Sequence, residues 1–260
     1  MTNGAYYNEN NPFAAQWLRN LISAGLIAPG DVDDRSIVDV QPDDLIGYTQ
    51  CHFFAGIAGW SYALRRAGWP DERPVWTGSC PCQPFSAIGT RKGFDDERHL
   101  WPELKRLVEK RRPPVFFGEQ SSNASDWLRL VRSDLEAMEY AMGAMPIEAA
   151  SAGADVLGDR FWFVASADFL ELREQSQAGQ QPQHQPDPSA HPIRPGGEDL
   201  WRRGADGKLR RVNPGLHWMA HGVPARMGKI SGFGNAVDPR PAAAFIAAYM
   251  DATETSGSEQ

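Results

Sequence analysis

A cysteine between two prolines, Pro81-Cys82-Gln83-Pro84, lies at the centre of the stretch Thr77–Ser86. The prolines fix φ on both sides and remove two backbone donors, which suits a stiff turn and excludes a helix interior or central strand. A thiol on such a turn is open to a substrate, but it is a weak nucleophile at neutral pH unless a neighbour lowers its pKa or takes its proton. From the cysteine alone, a structural thiol buried in a turn remains the alternative. A second candidate group comes from Glu119, which follows the apolar run Pro113–Phe117. That run reads as a strand next to the one that leads into Cys82, so the thiol and the carboxyl share one end of a sheet.

The 260 residues, 42% hydrophobic and 23% charged, fit a globular chain with one sizeable core. Apolar runs are broken by Gly, His or charged residues, so neither a membrane span nor a secretory signal is expected, and the location is expected to be cytoplasmic. Three cysteines, two of them separated only by Pro81, do not make a disulfide framework. The six histidines do not gather around Cys80 and Cys82, and no metal is expected. The net charge of −7 is segmental: residues 1–50 hold seven acids against two bases, and residues 200–230 hold seven bases against one acid. The basic segment suits a polyanionic partner, with a solvated charged face as the alternative.

Strands are expected at Gly4–Asn8, up to Asp33, at Thr49–Phe54, Arg73–Thr77, Pro113–Phe117, Ala141–Ile147 and Phe161–Ala165. Helices are expected from Pro12, over Trp60–Ala67, Leu100–Lys110, Ala124–Glu139 and Pro241–Met250. This alternation predicts an α/β fold with helices on both faces of the sheet. Small residues in Ala55-Gly-Ile-Ala-Gly59 let a ligand approach the backbone at a helix N-terminus, although a lone pair of glycines is also common helix–strand packing. Asp33 at a strand end is either a solvated cap or, in an open α/β sheet, a ligand for ribose hydroxyls or an adenine amine. The Gly-rich, charged stretch 87–99 is a candidate lid, and 166–197, rich in Gln and Pro, reads as a linker or mobile loop. Residues 200–229, with Trp201 and Trp218 among Gly and Pro, are expected to be irregular.

Taken together, these motifs resemble the DNA cytosine-5 methyltransferases. In order, the chain carries Phe54–Gly59, Pro81-Cys82-Gln83, Glu119-Gln120-Ser121, Val156-x-Gly158-x-Arg160 and Gly234-Asn235-Ala236-Val237. They correspond to the family's Phe-x-Gly-x-Gly-Gly, Pro-Cys-Gln, Glu-Asn-Val, Gln-x-Arg-x-Arg and Gly-Asn-Ala-Val motifs. Ala58 stands for a glycine, Gln120-Ser121 for Asn-Val, and Val156 and Gly158 for polar residues. Arg160 is thereby left alone to hold the pyrimidine O2.

The resemblance implies a mixed sheet of the S-adenosylmethionine (SAM)-dependent methyltransferase type, Rossmann-like, with a small irregular target-recognition region. It implies transfer of a methyl group from SAM to carbon 5 of a flipped-out cytosine in double-stranded DNA, through an adduct of Cys82 with carbon 6. Cys82, Glu119 and Arg160 are its catalytic residues. Phe54, Ala55, Gly56, Ile57, Gly59 and Asn235 line the cofactor site. Between Gly59 and Gly78 the family inserts two further strands whose acids grip the cofactor, and this chain has no room for them. Asn8-Glu9-Asn-Asn-Pro-Phe-Ala-Ala15 and Asp33-Asp-Arg-Ser-Ile37 resemble the missing stretches, so these elements are expected to have moved to the N-terminus, with Glu9 on the ribose and Asp33 on the adenine amine. Ser86, Arg91, Lys92 and Arg98 on the closing loop, and Arg202, Arg203, Arg210 and Arg211 in the basic segment, are the expected DNA contacts.

The expected organisation is a catalytic and cofactor-binding domain over 1–165, a linker and target-recognition region over 166–230, a returning segment over 231–250 and a disordered tail over 251–260, acting as a monomer. Two alternatives stand beside methylation: a relative that uses the same thiol adduct with another one-carbon donor or removes the amine, and a DNA-binding relative with a dead site. Phage self-protection, restriction-modification and regulation are all compatible with these motifs.

Overall fold

Seven short strands place the chemistry-bearing segments on one line across a sheet in the computed structural model, which describes residues 4–81, 99–122, 124–148, 159–167, 200–203, 209–212 and 236–255. The strands are β1 (Ala5–Asn8), β2 (Gly30–Asp33), β3 (Gln50–Phe53), β4 (Val75–Gly78), β5 (Val115–Ser121), β6 (Ala141–Glu148) and β7 (Asp159–Ser166). Their order in the sheet is β2-β1-β3-β4-β5-β7-β6. The pairings from β2 through β5 are parallel, and β7 runs antiparallel to both β5 and β6. β1, β3 and β4 are buried along their whole length, as expected for parallel strands covered on both faces.

The chain steps outward from β1 to β2 and then returns to the other side of β1 to lay down β3, β4 and β5. The N-terminal strands β1 and β2 thus lie on the side of β3 away from β4. A parallel sheet accepts this because pairing depends on neighbours in space and not on order in the chain.

Helices α1 (Pro12–Ser23), α2 (Gly59–Arg66), α3 (Trp101–Arg111), α4 (Ser125–Ala137) and α5 (Pro239–Thr255) cover both faces. Asn11 starts α1 by accepting from the Phe13 and Ala14 amides, with Pro12 in the first turn, and Gly25 at φ +67° ends it. On one face Trp101, Leu104 and Leu107 of α3 and Trp127, Val131 and Leu135 of α4 pack on Phe53, Trp76, Phe116 and Phe163. Opposite them, Trp60 and Leu64 of α2 and Phe245 and Ile246 of α5 pack on Val75, Val115, Phe117 and Trp162. Leu18 of α1 covers Ala5 and Tyr7. Within the core, His52 lies against Thr77 Oγ1 at 2.9 Å and stacks on Tyr7, and burial pulls its pKa down to about 3.

Four expectations change. Glu119 lies inside β5 and not after it, because pairing with β7 continues to Ser121 after the pairing with β4 has stopped at Gly118. Residues 200–203 and 209–212 form an antiparallel hairpin, β8–β9, within the segment expected to be irregular. Helix α5 continues to Thr255, into the expected tail, and a short 3-10 helix at Pro42–Leu45 stands where no element was expected. The stretches 87–98 and 168–197 lie outside the described residues.

Candidate active site

One register row crosses the whole sheet: Asp33, Asn8, Phe53, Gly78, Gly118, Phe163 and Ala144 are successive Cα partners. Glu9, Phe54, Ser79 and Glu119 each stand one residue beyond it at the carboxyl end of a parallel strand. Ligands of open α/β sheets bind at such ends, beside the point where the strand order reverses, and here that point lies between β1 and β3. Gly118 belongs to this row because the Phe163 ring packs over it; a Cβ there would come within 2.1 Å of the ring.

The turn after β3 is bound to the end of β1. The Ala55 amide donates to the Asn8 carbonyl at 3.0 Å, and the Gly56 amide donates to Glu9 Oε2 at 2.8 Å. The other Glu9 oxygen accepts from the Asn11 amide. Phe54 (φ +53°), Gly56 (φ +54°) and Ala58 (φ +72°) are all left-handed, so two non-glycine residues hold a conformation that costs each of them about 1 kcal/mol or more. Ala58 is where the resemblance expects glycine. The space above Gly56 is open: a Cβ there would find Phe54 O as its nearest neighbour, at 4.0 Å. Gly59 is close-packed instead: a Cβ would meet the Val237 carbonyl at 2.4 Å, so the segment leading into α5 rests directly on the start of α2.

Asp33 ends β2 beside Asn8 and not beside Phe54. Its carboxylate accepts from Tyr6 Oη at 2.6 Å and from the Arg35 guanidinium at 2.6 Å, and Arg35 also reaches Asp44. Burial acts to raise its pKa, but these donors outweigh burial and hold the carboxyl below the usual range.

Glu119 is 7% exposed, with Arg160 Nη1 3.0 Å from Oε1. Burial raises its pKa, against the opposing effects of Arg160 and a hydrogen bond from Ser79. A carboxyl in this setting is biased towards holding its proton, the property needed of a general acid. Ser79 also accepts from Trp60 Nε1 at 3.0 Å. On the other face of β5, Gln120 Nε2 donates to the Cys80 carbonyl at 3.2 Å, while Gln120 Oε1 accepts from the Ser121 amide. The longer amide in place of asparagine thus fastens the strand end two residues before Cys82. Cys80 itself is buried in the core, and burial pushes its thiol far up from the ordinary cysteine range.

A cleft of about 780 Å³ has Ile57, Gly59, Glu119, Arg160, Trp162 and Val237 on its walls. Cys82, Ser86, Arg91, Lys92, Arg98 and Asn235 lie outside the described residues. Arg202 and Arg210 are Cα partners in the β8–β9 hairpin, with Arg203 and Arg211 one step to either side. Ser79, Trp60 and Gln120 were missed from the sequence. Ser79 could have been found by aligning the parallel strand ends, since it follows Gly78 as Glu119 follows Gly118.

Among the described residues no group of three or more His, Cys, Asp or Glu could hold a metal, and no helix is long and apolar enough to cross a membrane.

Residues 70–185 match the family model described as C-5 cytosine-specific DNA methylase. The type II methyltransferase M.HhaI of Haemophilus parahaemolyticus is 27% identical over 110 residues, 40% of this chain and 33% of that protein. M.MspI of a Moraxella species is 32% identical over 92 residues, 33% of this chain and 22% of that one. The matches therefore span a third or less of these two relatives' length. Among solved structures, a DNMT2 mutant of Spodoptera frugiperda superposes with a TM-score of 0.42 at 13% identity, covering 63% of this chain and 42% of that one. The Entamoeba histolytica methyltransferase EhMeth gives 0.42 at 12% identity, covering 62% and 44%.

Proposed function

We propose that this chain methylates carbon 5 of cytosine in DNA, with SAM as methyl donor, since residues 70–185 match the family model described as C-5 cytosine-specific DNA methylase. The observation that carries this reading is buried Glu119 on β5, the strand beside the one that leads into Pro81-Cys82, with the partly exposed Arg160 of β7 3.0 Å from its carboxyl. Carbon 5 of cytosine is too weak a nucleophile to take a methyl group while the ring is aromatic. The Cys82 thiolate forms a bond to carbon 6, and Glu119 delivers its proton to N3, so the electron pair displaced by attack is held as an enamine. Arg160 holds the pyrimidine O2 as well as Glu119. After carbon 5 has been methylated, a base removes its proton, the carbon–sulfur bond breaks, and the N3 proton returns to Glu119.

The residues at the switch point fit SAM. Each Glu9 oxygen accepts one amide hydrogen and keeps a lone pair for a ribose hydroxyl, and the open space over Gly56 lets a ligand approach the backbone. When bound, SAM supplies a methyl group activated by an adjacent sulfonium. Phe54, Ala55, Gly56, Ile57, Gly59, Glu9 and Asn235 are its proposed contacts. Asp33 is assigned to the adenine amine. Both of its oxygens already accept from Arg35 or Tyr6, so the amine takes a place that the half-exposed Arg35 side chain gives up.

Cytosine inside a duplex is out of reach of both groups, so the base is flipped out of the stack. Arg91, Lys92 and Arg98, with Ser86, are assigned to DNA backbone contacts on the 86–99 loop. In the hairpin, Arg202, Arg203, Arg210 and Arg211 are assigned to DNA contacts, as basic residues suited to a polyanion.

Nucleoside mass analysis of DNA incubated with the full chain and SAM tests the reaction. A gain of one methyl on deoxycytidine is expected; uracil, a hydroxymethyl group or no change overturns the reading. The transplanted cofactor site has its own test. Glu9→Ala is expected to weaken SAM binding, measured by calorimetry, by roughly tenfold or more, the value of a lost hydrogen bond to a charged group. Unchanged affinity rejects the ribose role of Glu9.

A further inference from the structure

Ser79 accepts from Trp60 Nε1, and it stands one residue beyond Gly78, the Cα partner of Gly118, so it leaves β4 beside Glu119 of β5, whose pKa it acts to lower. An indole N–H can only donate, so at 3.0 Å from Trp60 Nε1 the Ser79 oxygen must accept. A hydroxyl has one proton, and with the indole hydrogen already on its oxygen that proton is free to go to Glu119. The polarity of the chain is thereby fixed, from Trp60 through Ser79 to the carboxyl.

Packing holds both ends in place. Trp60 is 3% exposed, stacked on Phe117 at 6.1 Å and edge-on to Trp162 at 5.4 Å. Trp162 is the cross-strand partner of Glu119, and Gly78 is the partner of Gly118. Ser79 and Glu119 therefore leave neighbouring strands side by side, and the indole that addresses Ser79 cannot rotate without disturbing the wall behind Glu119.

We propose that Trp60 and Ser79 are positioning residues for the Glu119 proton, forming a one-way donor relay that, with Arg160, directs the acidic hydrogen to a carboxyl lone pair on the cleft side. Arg160 Nη1 stands 3.0 Å from Glu119 Oε1, and the Ser79 hydroxyl is the second donor assigned to the carboxyl. A proton facing either donor would meet another hydrogen head-on. Glu119 also lines the cleft, where a substrate nitrogen can take the proton. The same donors stabilise the carboxylate left behind once the proton has moved.

This inference rests on the reading of Glu119 as the proton donor, and its test has a readout that does not. Full-length chain carrying glutamate labelled with carbon-13 at the carboxyl is titrated by NMR, with Glu119 assigned by its loss in Glu119→Gln. Removing a donor from a carboxylate raises its pKa, so Ser79→Ala is expected to move the Glu119 midpoint upward. Trp60→Phe, which keeps the ring and loses the N–H, moves it in the same direction by less. Ser79→Thr, which keeps the hydroxyl, restores the original midpoint. In a Ser79→Ala background Trp60→Phe adds nothing, because the relay is already broken.

In methyl transfer, Ser79→Ala is expected to lower kcat about tenfold with little change in KM, and to shift the alkaline limb of the kcat profile upward with the NMR midpoint. Additive shifts from Ser79→Ala and Trp60→Phe, or an unmoved midpoint in Ser79→Ala, overturn the relay. If the NMR shifts follow the expected pattern and the unaltered chain methylates no DNA, the relay stands as a carboxyl-positioning device and the reading of its use in cytosine methylation fails.

Discussion

Replacing Cys82 with serine is expected to abolish methyl transfer from tritium-labelled SAM to DNA, a loss of roughly 10⁴-fold or more, on the scale seen when an enzyme loses its nucleophile. The hydroxyl has nearly the same size but is almost entirely protonated at neutral pH, and an alcohol adds poorly to carbon 6. Cys80→Ala is the informative control. Only Pro81 separates the two thiols, yet Cys80 is 5% exposed within the core and its thiol is raised by burial, so it has neither the access nor the thiolate to act. The Gln120 anchor uses the Cys80 carbonyl, which alanine retains. Cys80→Ala therefore keeps its activity and loses about 1 kcal/mol of stability for the buried sulfur. Activity retained in Cys82→Ser, or lost equally in both variants at temperatures where both are folded, refutes Cys82 as the nucleophile.

Local pattern made much of this arrangement legible. Asn8-Glu9-Asn-Asn-Pro12 announces a strand end, a cap and a helix start, and Phe54–Gly59 announces a turn into a helix, because the residues that make those turns are the ones named. Their meeting was legible only through the resemblance, which implies two further strands between Gly59 and Gly78, where the chain is too short for them. What stayed hidden depends on partners distant in sequence. Glu119 is inside β5 because β7, about 40 residues later, carries the pairing past the point where β4 leaves. The hairpin at residues 200–212 was masked by its arginines, which have little strand preference and form no alternating pattern. The link from Trp60 to Ser79 joins a helix start to a strand end, and neither residue type signals it. Asp33 looks in sequence like an isolated strand-end acid, but its carboxylate is shared with Tyr6 on the neighbouring strand and with Arg35 two residues on.

The same burial that would suit Glu119 to the proposed acid role makes it costly to the fold, and Glu119→Gln separates the two effects. The amide is close in shape and can still accept from Arg160, but it has no acidic proton for N3. The expected kcat falls by 10²- to 10⁴-fold, roughly the range for removal of a general acid, while SAM affinity is unchanged. Stability changes in the opposite sense. Burial raises the folded-state pKa of Glu119 above its unfolded value, in spite of Arg160 and Ser79. Protonated Glu119 thus favours the folded chain at acid pH, and this contribution is lost as pH rises from the unfolded pKa through the folded one. By pH 8 the unfolded carboxyl is ionised and the folded chain holds Glu119 at a cost, as a buried carboxylate or as an acid kept from ionising, which the neutral amide of the variant avoids, so Glu119→Gln is expected to equal or exceed wild type in Tm. At pH 4 the advantage disappears, because the wild-type carboxyl is then neutral as well. Unfolding curves at the two pH values, taken with single-turnover methyl transfer, test both halves. A variant with undiminished kcat refutes the acid role of Glu119. A variant less stable than wild type at pH 8 but not at pH 4 shows that the ion pair with Arg160 outweighs burial, in which case Glu119 would be held ionised and could not protonate N3 from its resting state.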